Sequence, residues 1–368
     1  MEDKESLITF TNYDNKSFIL HTEEGRHFII SREKKDEIEN ILQGDDILLK
    51  KNLIDKINNI ESNQKNNLMF LSDFQFKKTI ITANTMKKIS RFFVPLFNKN
   101  MMIIISIIII CVLTYFFFIN APNVISTNIP LSFSWVLIFF VFFFHEIGHA
   151  TACIKYKANP GEIGFGITSF LPVMYANVTD AWRLERNERM IVNVGGIYFQ
   201  NIFSLILFVV GITTKHYELY FISKTIFIST IYQFFPFYKS DGYWILSDII
   251  AVPNLFKTSR DIFYKKITNP RIKLSKKKYL IMFYYLLISG IITFFVIKMG
   301  IHYLNYIVNL PLFLINSIGK IINNQFHQLN LDANYLWAVL YIIFTTKMII
   351  NNIKIFTLSK GADKVNIN

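Results

Sequence analysis

Two cysteines in 368 residues, Cys111 and Cys153, cannot build a disulfide framework, and their spacing is not that of metal ligands, so both read as packing residues. Charge is scarce as well. Only 18% of residues are Asp, Glu, Lys or Arg, against 52% hydrophobic residues including 37 Phe, which excludes an ordinary soluble composition. No apolar segment precedes residue 100, so a cleaved secretory signal is not expected and the first span must also act as the insertion signal. No internal repeat is visible. Acidic residues are outnumbered, 26 against 39 basic ones, for a net charge of +13.

What the chain does have is long apolar runs. Residues 101–120, 132–156, 190–213, 219–237, 279–299 and 335–353 each approach the length that crosses a hydrocarbon core. The expectation is therefore a polytopic α-helical membrane protein with about six transmembrane helices. Lys87, Lys88, Arg91 and Lys99 precede the first run, whereas residues 121–131 contain no Lys or Arg. By the positive-inside rule this asymmetry predicts a multi-pass protein of the cell membrane with a cytosolic N-terminus. Alternation then puts Lys155, Lys157, Arg183, Arg186, Arg189 and the basic stretch 257–278 on the same side. Topology and attraction to anionic lipid headgroups thus account for most of the positive charge, and no nucleic-acid partner is expected. The segment 302–331 is apolar but broken by Pro311, Asn316 and Asn323, and it reads as interfacial.

The first ninety residues differ in character. Residues 16–22 and 26–31 are strand-like runs on either side of Glu23, Glu24 and Gly25, a plausible hairpin. Ser31 can cap a helix to about Gln43 with Ile38, Ile41 and Leu42 on its apolar side, and a second helical pattern covers residues 53–60. The sum is a small N-terminal α+β cytosolic domain over 1–90. Its element order resembles the leader-peptide recognition domains of ribosomal peptide biosynthesis; a regulatory or stabilising cap is the plainer alternative. Residues 91–300 form the expected transmembrane catalytic core. The remainder, 301–368, holds the interfacial segment, a last span and a cytosolic tail. Between the second and third spans, Ile163, Phe165 and Ile167, then Met174, Ala176 and Val178, alternate with other residues as in a β-hairpin. At membrane depth a hairpin must lie against protein or a wet cavity, where its edge can take an extended substrate by strand addition. An interfacial loop without substrate contact is the other reading.

The sharpest signal lies in the second run: His145-Glu146-Ile147-Gly148-His149, an H-E-x-x-H pattern. On a helix His145 and His149 project from one face and can share one ion, and Glu146 can reach a water there. Ionisable groups in hydrocarbon are costly and mark function. A catalytic zinc has three protein ligands and an open position, and the candidate for the third is Asp241. It follows Pro236, which ends a helix, and precedes Gly242, which permits a tight backbone. Asp248 reads as a helix-end carboxylate, Asp180 and Glu162 as solvated groups, and Lys239 as an interfacial lysine. His21, His27, His216, His302 and His327 lack partners at ligand spacing and read as surface residues.

Together, H-E-x-x-H on a membrane helix and a downstream P-x-x-x-x-D-G, here Pro236 to Gly242 and continuing into Tyr243-Trp244, resemble the site-2 protease family of intramembrane zinc metalloproteases, closest to its bacterial peptide-metalloprotease branch. The resemblance covers roughly residues 90–300. It implies Zn²⁺ held by His145, His149 and Asp241, Glu146 as catalytic base, and hydrolysis of a peptide or transmembrane-protein substrate, with maturation of a ribosomally made peptide as one such role. Three features depart from the family pattern: Gln233 replaces an Asn, Tyr238 replaces a second proline, and 195–201 lacks the usual proline of the glycine-rich motif. These touch substrate handling more than metal binding. The competing class is a membrane transport or immunity protein that retains the zinc site without proteolysis. Oligomeric state is not legible.

Overall fold

The computed structural model describes residues 8–12, 17–21, 27–43, 49, 76–119, 131–168, 171–237, 240–323 and 332–365. Three short strands, β1 (Thr9–Asn12), β2 (Ser17–His21) and β3 (His27–Ser31), form an antiparallel sheet in sequence order and lead directly into helix α1 (Arg32–Gln43). The hairpin register pairs His21 with His27, and Ser31 Oγ accepts from the Lys34 N–H at 3.4 Å, as a helix cap does. Leu20 and Ile38 are buried between sheet and helix. The expected helix at 53–60 lies outside the described residues.

Strand β4 (Phe76–Ile81) then joins a second sheet with β5 (Ile163–Thr168) and β6 (Leu171–Ala176), ordered β4-β5-β6 and antiparallel throughout. The alternation at 163–178 thus does form a hairpin. Its third strand comes from far upstream, within the span assigned to the N-terminal domain, which local alternation could not reveal. Helix α2 (Ala83–Phe93) follows, then α3 (Lys99–Thr114), which ends in a π-helical turn at Tyr115–Ile119, and α4 (Leu131–Lys155), which precedes the hairpin. After the hairpin and a short 3-10 turn at Thr179–Arg183 come α5 (Arg186–Thr213), α6 (Tyr217–Phe234) and α7 (Asp241–Ile250). The wider π turn leaves carbonyls unpaired within α3, and α6 supplies partners: Tyr220 Oη donates to Phe116 O at 3.0 Å and Lys224 Nζ to Phe117 O at 3.0 Å.

The core sits where α4 meets α5. Gly148 and Gly195 face each other so closely that a β-carbon at Gly148 would overlap the Gly195 backbone, and one at Gly195 would lie 2.8 Å from the Gly148 carbonyl oxygen. Without a hydrophobic drive between helices in lipid, such small-residue contacts are how backbones approach. Met86, Phe97, Ile147, Cys153, Val192 and Phe199 fill the surrounding core, which ties α2 and the hairpin's Ile163 to the same cluster.

These elements belong to one compact unit, Met1–Asn254; a second, Leu255–Asn368, holds α8 (Leu255–Thr268), α9 (Lys276–Ile322) and α10 (Ala333–Val365). Helix α9 extends beyond the apolar run at 279–299, continuing through Pro311 to Ile322 and so through most of the stretch 302–331. Mostly helical, the chain has five helices among the described residues long and apolar enough to cross a membrane, falling in α3, α4, α5, α9 and α10. The fourth of the six expected spans forms α6, which is not among them; Glu218, Ser223, Lys224, Ser229 and Gln233 dilute its hydropathy. Overpacking a close backbone contact costs about 1–3 kcal/mol or more. Thermal unfolding of the detergent-solubilised chain should therefore show Gly148→Val destabilised at the upper end of that range, and Gly290→Ala, where an added β-carbon would meet no other part of the chain within 4 Å, equal to the parent or more stable by up to about 1 kcal/mol.

Candidate metal centre

Helix α4 puts His145 and His149 one turn apart, with ring centroids 4.7 Å apart and their Nε2 atoms separated by 3.1 Å. The Nδ1 side of each ring fixes this orientation. His149 Nδ1–H donates to the Val192 carbonyl of α5 at 2.8 Å. His145 Nδ1–H donates at 3.2 Å to Gln200 Oε1, whose amide nitrogen in turn donates to Ser229 Oγ at 3.0 Å. Gln233 Nε2 also donates to Gln200 Oε1, at 2.8 Å. With Nδ1 committed to acceptors, the Nε2 lone pair is the free ligating position on both rings.

Asp241, the first residue of α7, faces both of them. Its Oδ2 lies 3.2 Å from His145 Nε2 and its Oδ1 3.4 Å from His149 Nε2. Two features of α7 bring it there. Ser240 caps the helix, accepting from the Tyr243 N–H at 3.2 Å, and Gly242 rests against the Phe234 and Phe235 carbonyls with no room for a β-carbon. Gly242 thus serves close approach rather than an unusual backbone conformation. The two Nε2 atoms are 3.1 Å apart and each has a different Asp241 oxygen beside it, at 3.2 and 3.4 Å, so the three side chains converge closely enough for ligand bonds of about 2.0–2.1 Å to one ion. His145, His149 and Asp241 can therefore hold one divalent ion, and two imidazoles with a carboxylate are a donor set suited to zinc.

Helix α5 presents one face to this centre, with Arg189, Asn193, Gly196 and Gln200 at successive turns. Gly196 lies directly against the imidazoles: a β-carbon there would fall 2.7 Å from His145 Nε2 and closer still to His149 Nε2. At the start of the helix, Arg189 Nε and Nη2 both reach Asp248 Oδ1 at 2.7 Å, and Asn193 Nδ2 donates to Asp248 Oδ2 at 3.3 Å. Glu146 is buried, and its carboxylate accepts a hydrogen bond from the Ala176 backbone N–H of β6. A cavity of about 650 Å³ opens over these groups, with Phe139, Phe142 and Phe165 among its lining residues and partly exposed.

The structure thus brings together the four residues singled out by motif. Several other expectations change. Asp248 is not a loose helix-end carboxylate: it is paired with Arg189, and each is 3% exposed. His21 is also buried. Thr11 Oγ donates to the Arg183 carbonyl at 2.8 Å, so its bond to His21 Nε2 at 2.7 Å must come from the imidazole N–H. Asp180 accepts from the Asn159 N–H at 2.7 Å, and Glu162 accepts from Asn177 Nδ2 at 3.1 Å, so neither is simply solvated. Lys239 lies outside the described residues. The glycine-rich stretch 195–201 contained Gly196 and Gln200 without a role at the centre being assigned to them, and the Arg189–Asp248 pair was not read at all. Their signal was a run of small and polar residues at helical spacing on an otherwise apolar helix.

Over 156 residues the chain is 26% identical to a Bacillus subtilis (strain 168) protein named "Putative peptide zinc metalloprotease protein YydH". The match takes in 40% of this chain and 62% of that relative, so the chain spans less than two thirds of the relative's length. No family model matches, and no solved structure does. The likeness supports a distant relationship to a zinc metalloprotease.

Zinc titration of the purified chain should resolve the two new contacts. Gly196→Ala is expected to abolish stoichiometric binding by displacing both imidazoles. Gln200→Leu should weaken binding about 10- to 100-fold by releasing the His145 ring.

Proposed function

We propose that this protein is a multi-pass membrane zinc metallopeptidase that hydrolyses a peptide bond in a membrane-associated peptide or transmembrane segment, with its N-terminus in the cytosol. The observation that carries this reading is the convergence of two imidazole Nε2 atoms from α4 and the Asp241 carboxylate from α7, with the Glu146 carboxylate lining the same cavity. Bound zinc supplies Lewis acidity toward a scissile carbonyl and toward a water molecule.

The chain's own residues do the rest. Glu146 takes a proton as a water oxygen attacks the carbonyl carbon, and returns it to the departing amine as the C–N bond breaks. The Ala176 N–H holds the carboxylate in place. Strand β6 also supports a peptide substrate. Asn177 exchanges its backbone bonds with 161 and 162, on the β5 side. By alternation the backbone groups of Met174 and Ala176 point away from β5, on the side where Ala176 meets Glu146. A chain added to that edge runs past the base in extended form, which is the conformation hydrolysis needs. Apolar side chains on the cavity rim, Phe139 and Phe142, suit an apolar substrate segment. The N-terminal sheet touches the 3-10 turn through Thr11 and Arg183, and Trp182 of that turn lines the cavity, so a peptide held by the sheet would lie near the site.

Glu146→Gln separates this reading from a transport or immunity role. Peptide comparison of cells carrying either form should show a cleavage product lost by at least about 100-fold, as expected for removal of a general base, with zinc content unchanged. Unaltered products with full zinc occupancy would favour the non-proteolytic class.

A further inference from the structure

Helix α7 carries two aspartates, Asp241 half-buried and Asp248 buried, and they do different work. Asp241 and Asp248 are seven residues apart, two turns, so they occupy nearly the same face about 10 Å apart along the axis. One reaches the histidines of α4. The other is taken by α5, through Arg189 Nε and Nη2 at 2.7 Å and Asn193 at 3.3 Å. Arg189 is itself held on three sides: its Nη1 donates to the Leu184 carbonyl at 3.3 Å, its guanidinium stacks 4.8 Å over Trp182, and Trp182 meets Trp244 of α7 edge to face.

Stability does not explain this pair. Removing two charges from water costs about as much as their attraction returns, and apolar replacements of similar volume are often neutral or stabilising. What a buried, charge-assisted hydrogen bond supplies instead is orientation. Here the orientation concerns the metal centre, because Arg189 lies one turn before Val192, whose carbonyl orients His149, and two turns before Gly196, which abuts both rings. The same α5 face thus positions the histidines and grips α7.

We infer that the Arg189–Asp248 pair is a positioning device that locks α7 onto α5 and thereby holds the Asp241 carboxylate at ligating distance from His145 and His149. It rests on the metal-site reading above. With Arg189 Nε donating to its Oδ1 and Asn193 Nδ2 to its Oδ2, Asp248 is also withheld from the metal, which leaves Asp241 as the acidic ligand of α7. Arg189 and Asp248 are positioning residues in this scheme, acting through Asp241 from the wall of the same cavity.

The test is zinc affinity by chelator competition on the full-length chain, with the visible absorption of the Co²⁺-substituted protein as a reporter of tetrahedral geometry and thermal unfolding as a measure of folding. In Arg189→Met/Asp248→Leu the inference requires a 10- to 100-fold loss of zinc affinity and a weakened tetrahedral Co²⁺ spectrum, with a melting temperature within a few degrees of the parent. Should that double variant not fold, Arg189→Lys decides: it keeps the charge but not the fork, and its zinc affinity must also fall while folding is retained. Unchanged affinity and spectrum in the variant that folds overturn the inference while leaving the metal site standing. Zinc binding by the parent that Asp241→Ala does not weaken overturns the metal-site reading and this inference with it.

Discussion

Backbone contact between α4 and α5 at Gly148 and Gly195 sets the distance on which the rest of the site depends. At that separation the Val192 carbonyl meets the His149 ring and Gly196 lies flush against both imidazoles. A wider spacing would leave the imidazole Nδ1 groups without acceptors, and unsatisfied polar groups in hydrocarbon are costly. Two glycines therefore control the chemistry two residue layers away.

Given that contact, the polar groups form a chain of dependencies. The histidines are oriented from behind by α5, directly through Val192 and through Gln200, which also binds Ser229 and Gln233 of α6. Asp241 comes from a third helix whose first turn is capped by Ser240 and seated against the end of α6. Glu146 is held from the opposite side, by the edge of a sheet. Each histidine, Glu146 and Asp241 is thus positioned by another element, so the centre is a junction of four helices and a hairpin. The apolar surfaces of these helices need only match lipid, which leaves most of the specific packing concentrated around the ligands.

The second sheet links parts of the chain that composition separates. β4 belongs by sequence position to the charged N-terminal stretch, yet it pairs with the hairpin that follows the histidine helix. The strand that precedes the first apolar helix is thereby joined through β5 to β6 and to the base that β6 contacts. Thr11 and His21 add a second connection at the 3-10 turn.

Local rules carried far. A helix places residues four apart on one face whatever surrounds it, so His145, Glu146 and His149 were legible as a unit, and period-2 alternation was enough for β5 and β6. The helix-breaking Pro236 and the aspartate behind it marked Asp241. Beyond that, sequence by itself determined an apolar, helical, membrane-type chain with a basic bias. Only the tertiary structure decided that β4 completes the sheet, that Arg189 and Asp248 find each other across 59 positions, that Gly196 faces the imidazoles and that α9 continues through Pro311. The reason is physical: these outcomes depend on which helix faces are brought together by long-range packing, and spacing along the chain specifies a face without specifying its neighbour.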